Sequence, residues 1–460
     1  MLQETLARYG QSHVLQFEQQ LSAAERQELQ NQVEQIDFAQ LQRLTSRQDQ
    51  GQDWGQLARR AEPPPAVRLD RQHPEFSSGQ ALAAGKAALA AGRVGVILVA
   101  GGQGTRLGFE QPKGMFPIGP LSNRTLFQMH CDRQLAVMKR YDVSIPLFVM
   151  TSPATDEETR RFFADHDRCG LSEEQLVIFC QGTMPAVDEQ TGKVLLSSPS
   201  SLALSPDGHG GLVTALDRAG CLKQAKQRGI DLFYYAQVDN PLAELCDPEL
   251  LGYHLLARSQ MTTQVVKKRF ASEKVGNVVM VDGKVQIIEY SDLPAESAEQ
   301  VDGQGELKLW AGNIAVHVFD REFLEAVVAS AEGLPFHRAR KPVPYVDAQG
   351  NHIEPQQPNA IKFERFVFDL LPLAERAFVV EGDAAQVFAP VKNANGSPVD
   401  TPVHTQAALL ALHRRWLEDA GAKIAPQVRV EIHPDWALDA EEVHRKLAPQ
   451  TVFHADTYLR

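Results

Sequence analysis

Hydrophobic residues recur in two different patterns along the 460-residue chain. Near the N-terminus they are spaced three or four apart, as at Val14 and Phe17, which predicts amphipathic helices over about the first 60 residues. Ser22 followed three positions later by Glu25 is the signature of a helix N-cap with a capping box. The segment 62–76, EPPPAVRLDRQHPEF, is rich in proline, and we expect it to be a linker without helix or strand.

From about residue 93 to 395, short apolar runs alternate with segments of helical spacing. The runs predict strands at 94–100, 145–150, 176–180 and 232–239, and the segments between them predict helices at 125–140, 155–167 and 212–228. This alternation is typical of βαβ units around a mostly parallel sheet. Residues 276–291 alternate as a β-hairpin does, with Asp282-Gly283 as the turn. A helix is expected near 404–419, followed by a short β-rich tail.

These patterns predict three regions. They are a helical N-terminal region with its linker (1–90), a doubly wound α/β domain with a mostly parallel central sheet (91–395), and a small C-terminal domain (396–460). Ligands of such sheets bind at the carboxyl ends of the strands. We therefore expect the binding cleft to follow Ala100 and Gln237.

Composition narrows the class of protein. The chain is 43% apolar and carries 46 basic against 58 acidic residues, a net charge of −12, which argues against a nucleic-acid-binding protein. Five scattered cysteines without a CxxC pair indicate free thiols in a reducing compartment. The N-terminus lacks the apolar core of a signal peptide, and no apolar run is long enough to cross a bilayer. We expect a soluble, cytoplasmic protein that binds neither nucleic acid nor membranes.

The stretch VGVILVAGGQGTRLGFEQPKGMFPIG (94–119) carries the first candidate chemistry. Three glycines follow the predicted strand directly: Gly101, Gly102 and Gly104. Their missing side chains let backbone N–H groups approach an anion or a flat base. Arg106 and Lys113 add fixed positive charge suited to a triphosphate. A tight turn with two surface cations is the alternative for this stretch taken alone.

Two common glycine-rich loops do not match this stretch. A Walker A loop requires GxxxxGK followed by Ser or Thr, and no glycine here has that spacing. The dinucleotide fingerprint GxGxxG requires a glycine where this chain has Leu107. The loop is therefore neither that of a P-loop ATPase nor a typical NAD-binding turn.

Nine motifs, in order, resemble those of the UTP-dependent sugar-1-phosphate uridylyltransferases, most closely the UDP-N-acetylhexosamine pyrophosphorylases. They are GGQGTRLG with PKGM, QGTMPA (181–186), SPDGHGGL (205–212), QVDNPL (237–242), IIEYS (287–291), AGNIAVHVF (311–319), KPVPYVD (341–347), NAIKFERFVFD (359–369) and PVKNANG (390–396). The resemblance extends from about residue 9 to 400. It implies a Rossmann-like, GT-A-type nucleotidyltransferase fold for the central domain.

The resemblance also implies a reaction. A sugar-1-phosphate oxygen attacks the α-phosphorus of UTP in line, which forms UDP-N-acetylglucosamine and releases pyrophosphate. Both reactants are anionic, so the protein has to neutralise charge and align groups. The chain has no motif for a covalent nucleophile. Arg106, Lys113 and Lys392 match the residues that contact the phosphates, and Asp239 matches the carboxylate that holds Mg²⁺ or Mn²⁺.

Substrate contacts follow from the same motifs. The positions that match nucleotide-binding residues are Ala100, Gly101, Gly102, Gln181, Gly208 and Lys362. Those that match sugar-binding residues are His209, Gly276, Glu289 and Asn313. The implied partners are UTP and a hexose-1-phosphate, and we expect a monomer or a weak homo-oligomer.

One residue departs from the N-acetylhexosamine pattern. The family loop reads PDGNGG, whereas this chain has PDGHGG with His209, as in the glucose-1-phosphate uridylyltransferases of the same superfamily. A UDP-glucose-forming enzyme or a broad-specificity UDP-sugar pyrophosphorylase is therefore an alternative. Two hypotheses from other classes are an NAD-dependent dehydrogenase and a catalytically inactive nucleotide-sugar sensor. Leu107 argues against the first, and the set of phosphate-binding cations argues against the second.

Overall fold

The computed structural model describes residues 2–46, 53–69, 73–330 and 333–460. The chain forms two compact units, each assembled from separate segments. The first comprises Met1–Asp53, Gln181–Thr214 and Ala331–Asp369, and the second comprises Trp54–Cys180, Ala215–Ser330 and Leu370–Arg460. This grouping does not test the expected boundaries at residues 90 and 395, which stay predictions.

A ten-stranded sheet forms the centre of the second unit. Its strands are β1 (Ala66–Val67), β2 (Val94–Val99), β3 (Leu147–Thr151), β4 (Leu176–Cys180), β5 (Leu232–Gln237), β6 (Met261–Lys267), β7 (Asn277–Val281), β8 (Lys284–Ile288), β9 (Ala311–Asp320) and β10 (Ala377–Glu381). The order is β1-β10-β6-β9-β5-β2-β3-β4, and the β7–β8 hairpin pairs with β9. In this row of described strands β9 runs antiparallel to both neighbours, and the other pairs are parallel.

Helices cover the sheet, and most side chains of its strands are buried on both faces. The helices of this part of the chain are Trp54–Arg60, Ser78–Ala90, Leu126–Tyr141, Asp156–Asp165, Cys221–Gln227, Pro248–Leu256, Ala295–Ala298, Arg321–Ala329, Ala384–Val387, Pro402–Asp419 and Ala440–Lys446, with Leu212–Arg218 running from the first unit into the second. Two of them touch through glycines. A Cβ at Gly85 would lie 1.7 Å from the carbonyl oxygen of Pro248, and one at Gly252 would lie 1.7 Å from that of Ala81. A larger residue at either position would force these helices apart.

The predicted alternation of strands and helices is confirmed. The expected helix at 212–228 is instead two helices, because Gly220 adopts a left-handed φ of 70° between them. The hairpin turns at Asp282 and Gly283, whose φ values of 51° and 78° suit a tight two-residue turn. The linker prediction is wrong at Ala66–Val67, which pairs with β10. An edge strand tolerates the preceding prolines because its outer backbone groups need no partner.

The first unit has a separate core of apolar side chains. Its helices are Leu2–Arg8, Ala23–Glu34 and Phe38–Thr45, and its longest strand pair is His337–Lys341 with Ala360–Glu364, to which Val187–Asp188 adds. Ser22 and Glu25 form the predicted capping box. Val14 and Phe17 are buried as their spacing predicts, but they do not share a helix. Val14 lies in the 3₁₀ turn Ser12–Leu15, and Phe17 caps the next one, Glu18–Gln20.

The C-terminal part of the second unit follows the prediction of one helix and a short β-rich tail. The helix is Pro402–Asp419, and the tail forms two pairs of short parallel strands, Lys423–Ile424 with Val452–Phe453 and Val430–Ile432 with Thr457–Leu459. The helix Ala440–Lys446 was not expected. Across the described ranges, no helix combines the length and the apolar character needed to cross a bilayer.

Candidate active site

The glycine-rich loop and Asp239 emerge at the same edge of the central sheet. β2 and β5 are parallel neighbours with Val99 opposite Gln237, so the loops that follow both strands begin side by side. The N–H of Val238 donates to the carbonyl oxygen of Val99 at 3.0 Å and continues this pairing beyond the strands. The loops after Ala100 and Gln237 therefore share one edge of the sheet, as expected, and a cleft at this edge stays a prediction.

Backbone hydrogen bonds fold the glycine-rich loop back on itself. Ala100 is buried at its start, and the carbonyl of Gly101 accepts from the Ser152 hydroxyl at 2.7 Å. The carbonyl of Gly102 accepts from the N–H of Lys113 at 3.0 Å, which brings the basic end of the loop back to its beginning. A Cβ at Gly102 would meet no atom within 4 Å. The loop therefore has an open face at Gly102, where a ligand can approach the backbone.

The structure brings Lys113 and Asp239 into direct contact. The ammonium Nζ donates to Oδ2 of the carboxylate at 3.3 Å, and the side chains are 18% and 13% exposed. The carbonyl of Asp239 accepts from the N–H of Val391 at 2.8 Å, and that of Arg106 accepts from the N–H of Ala394 at 3.0 Å. The segment that carries Lys392 is thus tied to both loops, and all four predicted phosphate and metal residues belong to one connected edge.

Asp400 is a charged residue of this edge that was not predicted from the sequence. Its carbonyl accepts from the N–H groups of Lys392 at 2.8 Å and Asn393 at 3.0 Å, and its own φ is 58°. Burial raises the pKa of the Asp400 carboxyl, an effect that the nearby cations Lys392 and Arg269 oppose. Its strained backbone and half-buried charge depend on the folded loop, so no local sequence pattern identifies it.

Three predicted sugar-binding residues also meet at this edge. The N–H of Asn313 donates to the carbonyl of Gly276 at 2.8 Å, and a Cβ at Gly276 would lie 2.9 Å from Oε1 of Glu289. Asn313 is on a bulge of β9, where Gln264 is opposite Val316 but Val265 is opposite Asn313. Bulges re-aim side chains at sheet ends. Gly276, Glu289 and Asn313 therefore form one cluster, which we call the Gly276 cluster.

A buried lysine is linked to the Gly276 cluster through hydrogen bonds of Asn277. Lys268 is 4% exposed, and its Nζ donates to Oδ1 of Asn277 at 2.6 Å. The amide of Asn277 donates in turn to the carbonyl of Ile288, at 3.3 Å, the residue before Glu289. Burial lowers the pKa of Lys268, and Glu273 opposes that effect. This pair was not predicted from the sequence, although a lysine directly after a strand with apolar residues is a signal that could have identified it.

Gln181 and Gly208 lie together in the first unit. The Gln181 amide donates to the carbonyl of Gly208 at 3.3 Å. Gly208 has a φ of 83°, and a Cβ there would lie 2.3 Å from the carbonyl oxygen of Arg365, so the position requires glycine. The carboxylate of Asp207 forms an ion pair with Arg365 and holds the two segments. Lys362 is partly exposed on strand Ala360–Glu364, opposite Ala339.

The ring of His209 is held by one hydrogen bond and by packing against two phenylalanine rings. Its Nδ1 accepts from the N–H of Val367 at 3.1 Å, and its ring packs on those of Phe366 and Phe368 with centroids 5.3 and 5.6 Å away. Burial lowers the pKa of His209 to about 4, and the neighbouring His337 adds to the effect. The imidazole is therefore neutral at pH 7, with its proton on Nε2. Because Nδ1 is engaged, the ring presents one donor rather than a donor and an acceptor.

Asp239 has the chemistry of a metal ligand. Mg²⁺ is commonly held by one or two carboxylates together with substrate phosphates rather than by an all-protein cage. Within the described part of the chain, no three His, Cys, Asp or Glu side chains converge on a point that could hold a metal. A partly accessible carboxylate on the edge that carries the cationic loop fits a metal shared with a phosphate ligand.

The chain is similar to known proteins over most of its length. Residues 38–445 match the family described as UTP–glucose-1-phosphate uridylyltransferase. The chain is 36% identical over 452 residues to the UDP-N-acetylhexosamine pyrophosphorylase-like protein 1 of Xenopus tropicalis, covering 94% of this chain and 87% of the relative. It is 39% identical over 356 residues to the UDP-N-acetylglucosamine pyrophosphorylase of Saccharomyces cerevisiae, covering 76% and 74%.

A solved structure extends the comparison to the fold. The uridine diphosphate N-acetylglucosamine pyrophosphorylase of Trypanosoma brucei superposes with a TM-score of 0.82 at 26% identity, covering 99% of this chain and 97% of that one. Sequence and fold thus agree over nearly the full length, and the chain belongs to the UTP–glucose-1-phosphate uridylyltransferase family.

Proposed function

We propose that this chain transfers a uridylyl group from UTP to N-acetylglucosamine-1-phosphate, giving UDP-N-acetylglucosamine and pyrophosphate. The observation that carries the proposal is the contact between Lys113 and Asp239 beside the open glycine-rich loop. An ammonium that can pair with phosphate and a carboxylate that can hold a metal thus lie together after adjacent strands, which supports the proposal. The relatives named above as N-acetylhexosamine and N-acetylglucosamine pyrophosphorylases support the choice of sugar.

The cations of the sheet edge stabilise the charge that builds up during the transfer. Lys113 and Arg106 neutralise the triphosphate and the departing pyrophosphate, and Lys392 neutralises the attacking sugar phosphate. Catalysis is then alignment and electrostatic stabilisation, without a covalent enzyme intermediate. The hydrogen bonds that join the loops at residues 106, 239 and 391–394 hold these charges in a fixed arrangement before substrates bind.

Asp239 would hold the divalent cation, Mg²⁺ or Mn²⁺. Such an ion, when bound, neutralises phosphate oxygens and lowers the repulsion between the two anionic substrates. Asp239 can serve because its side chain is partly accessible and because its backbone is fixed through the carbonyl. Its pairing with Lys113 gives the carboxylate a counter-charge before any metal arrives.

The remaining residues recognise the base and the sugar. In the first unit, the Gln181 amide complements the edge of uracil, Gly208 lets the backbone pass close to the base or ribose, and Lys362 reaches the nucleotide. In the second unit, the backbone at Ala100, Gly101 and Gly102 contacts the nucleotide. The Gly276 cluster hydrogen-bonds the hexose hydroxyls, through the carboxylate of Glu289 and the amide of Asn313.

His209 favours a second candidate, the use of glucose-1-phosphate. An asparagine offers an acceptor and two donors to an acetamide, whereas the ring of His209 offers the Nε2–H alone. A lone donor suits a hydroxyl oxygen. A UDP-glucose-forming or broad-specificity enzyme is therefore the alternative.

We further propose that the protein works in the cytoplasm on small-molecule substrates, as a monomer or weak homo-oligomer that binds neither nucleic acid nor membranes. None of the five cysteines, all of which lie in the described ranges, forms a disulfide, which suits a reducing compartment. The acidic net charge of −12 disfavours nucleic acid as a partner.

Pyrophosphate release across a panel of sugar-1-phosphates tests the activity. We expect release with UTP and N-acetylglucosamine-1-phosphate in Mg²⁺, and little with the Lys113→Ala variant as control. Absence of release with every sugar phosphate, together with absence of labelled pyrophosphate exchange into UTP, would favour a nucleotide-sugar sensor. Saturable NAD binding without UTP binding would favour a dehydrogenase.

A further inference from the structure

Glu431 is a buried carboxylate that none of the roles proposed above uses. It belongs to strand Val430–Ile432 of the C-terminal tail (423–459) and is 3% exposed. Its Oε2 accepts from the N–H groups of Leu121 and Ser122, both at 2.7 Å, and its Oε1 accepts from the Ser122 hydroxyl at 2.6 Å. Burial of a carboxylate is costly unless hydrogen bonds satisfy it. These three bonds therefore tie the tail firmly to a loop near the candidate active site.

The loop that Glu431 holds is closed by its own backbone. Pro117 pairs with Thr125, and the carbonyl of Arg124 accepts from the N–H of Gly119 at 3.0 Å. A Cβ at Gly119 would lie 2.8 Å from the backbone nitrogen of Arg124, so the loop is also tightly packed. We call these residues the 117–125 loop. Because it is closed at its base, a movement of its tip displaces its ends as well.

The base of the 117–125 loop is bonded to the turn that carries Lys113. This turn is Lys113–Met115, and the carbonyl of Lys113 accepts from the N–H of Phe116 at 2.9 Å. The carbonyl of Phe116 accepts in turn from the N–H of Leu126, directly after the loop, at 3.0 Å. The turn of Lys113 is thus held by the glycine-rich loop on one side and by the base of the 117–125 loop on the other.

A second chain of contacts joins the tail to the same loop. Arg124 of the loop forms an ion pair with Asp132, which belongs to helix Leu126–Tyr141. The Oδ2 of Asp132 lies 3.2 Å from Nε2 of His433, two residues after Glu431. The tail therefore contacts the loop directly through Glu431 and indirectly through Asp132.

We propose that Glu431 is a positioning residue for Lys113, so that the C-terminal tail supports catalysis through the 117–125 loop. This role depends on the proposed contact of Lys113 with the UTP phosphates. The loss of the Glu431 carboxylate leaves the charge of Lys113 intact but releases the loop that fixes its turn. Since the ammonium of Lys113 lies 3.3 Å from Asp239, a shift of about 1 Å is enough to break that contact.

A double-mutant cycle of Glu431→Ala and Lys113→Ala tests this role. Initial rates of pyrophosphate release are measured with UTP varied. Glu431→Ala alone should lower kcat/KM for UTP by about ten- to a hundredfold, because a misplacement of about 1 Å can cost about 10² in rate. In the Lys113→Ala background the same substitution should have little further effect, because the positioned group is absent. Glu431→Gln, which keeps an oxygen acceptor for Leu121 and Ser122, should lose less than Glu431→Ala.

Asp456→Ala is the matched control. Asp456 accepts three hydrogen bonds from Arg429, at 2.8, 2.8 and 2.6 Å, beside the strand pair that contains Glu431. Its loss should lower the thermal stability of the tail and leave kcat/KM unchanged, because these bonds do not hold the 117–125 loop. The proposal is overturned if Glu431→Ala has the same effect in both backgrounds, or if Asp456→Ala lowers kcat/KM as much as Glu431→Ala does.

Calorimetric titration with UTP separates this inference from the proposed reaction, because binding does not require turnover. If the wild type binds UTP without releasing pyrophosphate, the same cycle is measured on UTP affinity. A loss of affinity in Glu431→Ala that disappears in the Lys113→Ala background supports the positioning role even then. Unchanged affinity in Glu431→Ala, or no UTP binding by the wild type, overturns it. If Glu431→Ala does not fold, Glu431→Gln takes its place in both cycles.

Discussion

The ammonium of Lys113 lies 3.3 Å from the carboxylate of Asp239, between two loops that leave neighbouring parallel strands. Both side chains are more than four-fifths covered, so water screens their attraction less than at an open surface. A phosphate bound to Lys113 would take the place of the Asp239 carboxylate, and a cation bound to Asp239 would take the place of the Lys113 ammonium. The two residues should therefore act as a unit, with mutational effects that do not add.

The Asp239→Asn variant should lose most turnover while keeping its fold. Removal of the carboxylate takes away the proposed metal ligand and leaves Lys113 without its counter-charge. We expect the rate of pyrophosphate release in Mg²⁺ to fall by about 10²–10³, as for other well-placed charges. Asp231→Asn is the matched control, because Asp231 pairs with Arg93 just before β5 begins, at the opposite end of that strand. Near-normal turnover of a folded Asp239→Asn protein would show that the metal assignment is wrong.

Lys113→Ala and Lys392→Ala should both slow the reaction, but through different substrates. Lys113 should affect UTP and pyrophosphate, and Lys392 the sugar phosphate or the charge shared in the transition state, each by about 10²–10³ in rate. Initial rates with each substrate varied in turn separate the two effects. Lys139→Ala, which removes an exposed lysine paired with Asp435, serves as control. Small and equal changes confined to KM would mean that neither lysine contacts the reacting phosphates.

Local sequence patterns predicted the sheet edge well. The glycines and Asp239 each follow an apolar strand in the sequence, so each loop leaves the carboxyl end of its strand. Parallel pairing of the two strands then brings both loops to one edge. The contact of Lys113 with Asp239 follows from that rule together with a loop that folds back at Gly102.

Features that depend on the register between distant segments could not be predicted. The bulge that orients Asn313 arises from the pairing of β6 with β9, and β1 forms only because β10, more than 300 residues later, offers an edge. The hydrogen bond of Lys268 to Asn277 likewise joins a strand end to the following hairpin. Hydrophobic spacing identified Val14 and Phe17 as buried, but it does not distinguish a helix from two 3₁₀ turns.

Replacement of Lys268 by Met should weaken sugar binding selectively. The lysine holds Asn277, and Asn277 holds the backbone on both sides of the Gly276 cluster, so its loss should displace Gly276 and Glu289. We expect KM for the sugar phosphate to rise by about tenfold while KM for UTP stays nearly unchanged, since the loss of a hydrogen bond to a charged group costs about 1.5 kcal/mol or more. Lys268→Gln, which keeps a donor, should have a smaller effect.

Lys267→Met is the matched control for that experiment, because the neighbouring lysine is exposed and pairs with Glu306. An equal rise in both KM values for Lys268→Met, or a change only in thermal stability, would indicate a purely structural role for the buried lysine.

The stability of the second unit should decline in mild acid partly because of His413. Burial lowers the pKa of this histidine to about 4, and its Nδ1 accepts from the N–H of Ile432 at 3.2 Å. The unfolded chain takes up a proton near pH 6.5, whereas the folded state does so only near pH 4. Between these values the unfolded state binds more protons. As the pH is lowered from 6.5 to about 4, this group therefore lowers the free energy of unfolding by about 1.4 kcal/mol per pH unit.

Urea unfolding followed by tryptophan fluorescence checks this contribution, since Trp416 lies 5.8 Å from the His413 ring. The His413→Gln variant keeps an acceptor for Ile432 but does not titrate. Its unfolding free energy should depend less steeply on pH between 6.5 and about 4. An unchanged slope would show that His413 is protonated in the folded state at higher pH than its burial indicates.

His209 should determine how well the enzyme uses glucose-1-phosphate. The ring presents a single Nε2–H donor, because Nδ1 is held by Val367, and this donor suits a hydroxyl where an asparagine would meet the acetamide. We expect N-acetylglucosamine-1-phosphate to remain a substrate and glucose-1-phosphate to be used unusually well for such an enzyme.

The His209→Asn variant should raise the ratio of kcat/KM for the N-acetyl substrate over glucose-1-phosphate. A contact of this kind contributes about 1–3 kcal/mol of discrimination, or roughly ten- to two-hundredfold. Since the pKa of His209 is about 4, the ratio should not vary between pH 6.5 and neutrality, which excludes a charged imidazole as the selecting group. Thermal unfolding of the variant controls for lost packing on Phe366 and Phe368. If the ratio is unchanged in a folded variant, His209 is not the selecting residue, and sugar choice must depend on Glu289 and Asn313.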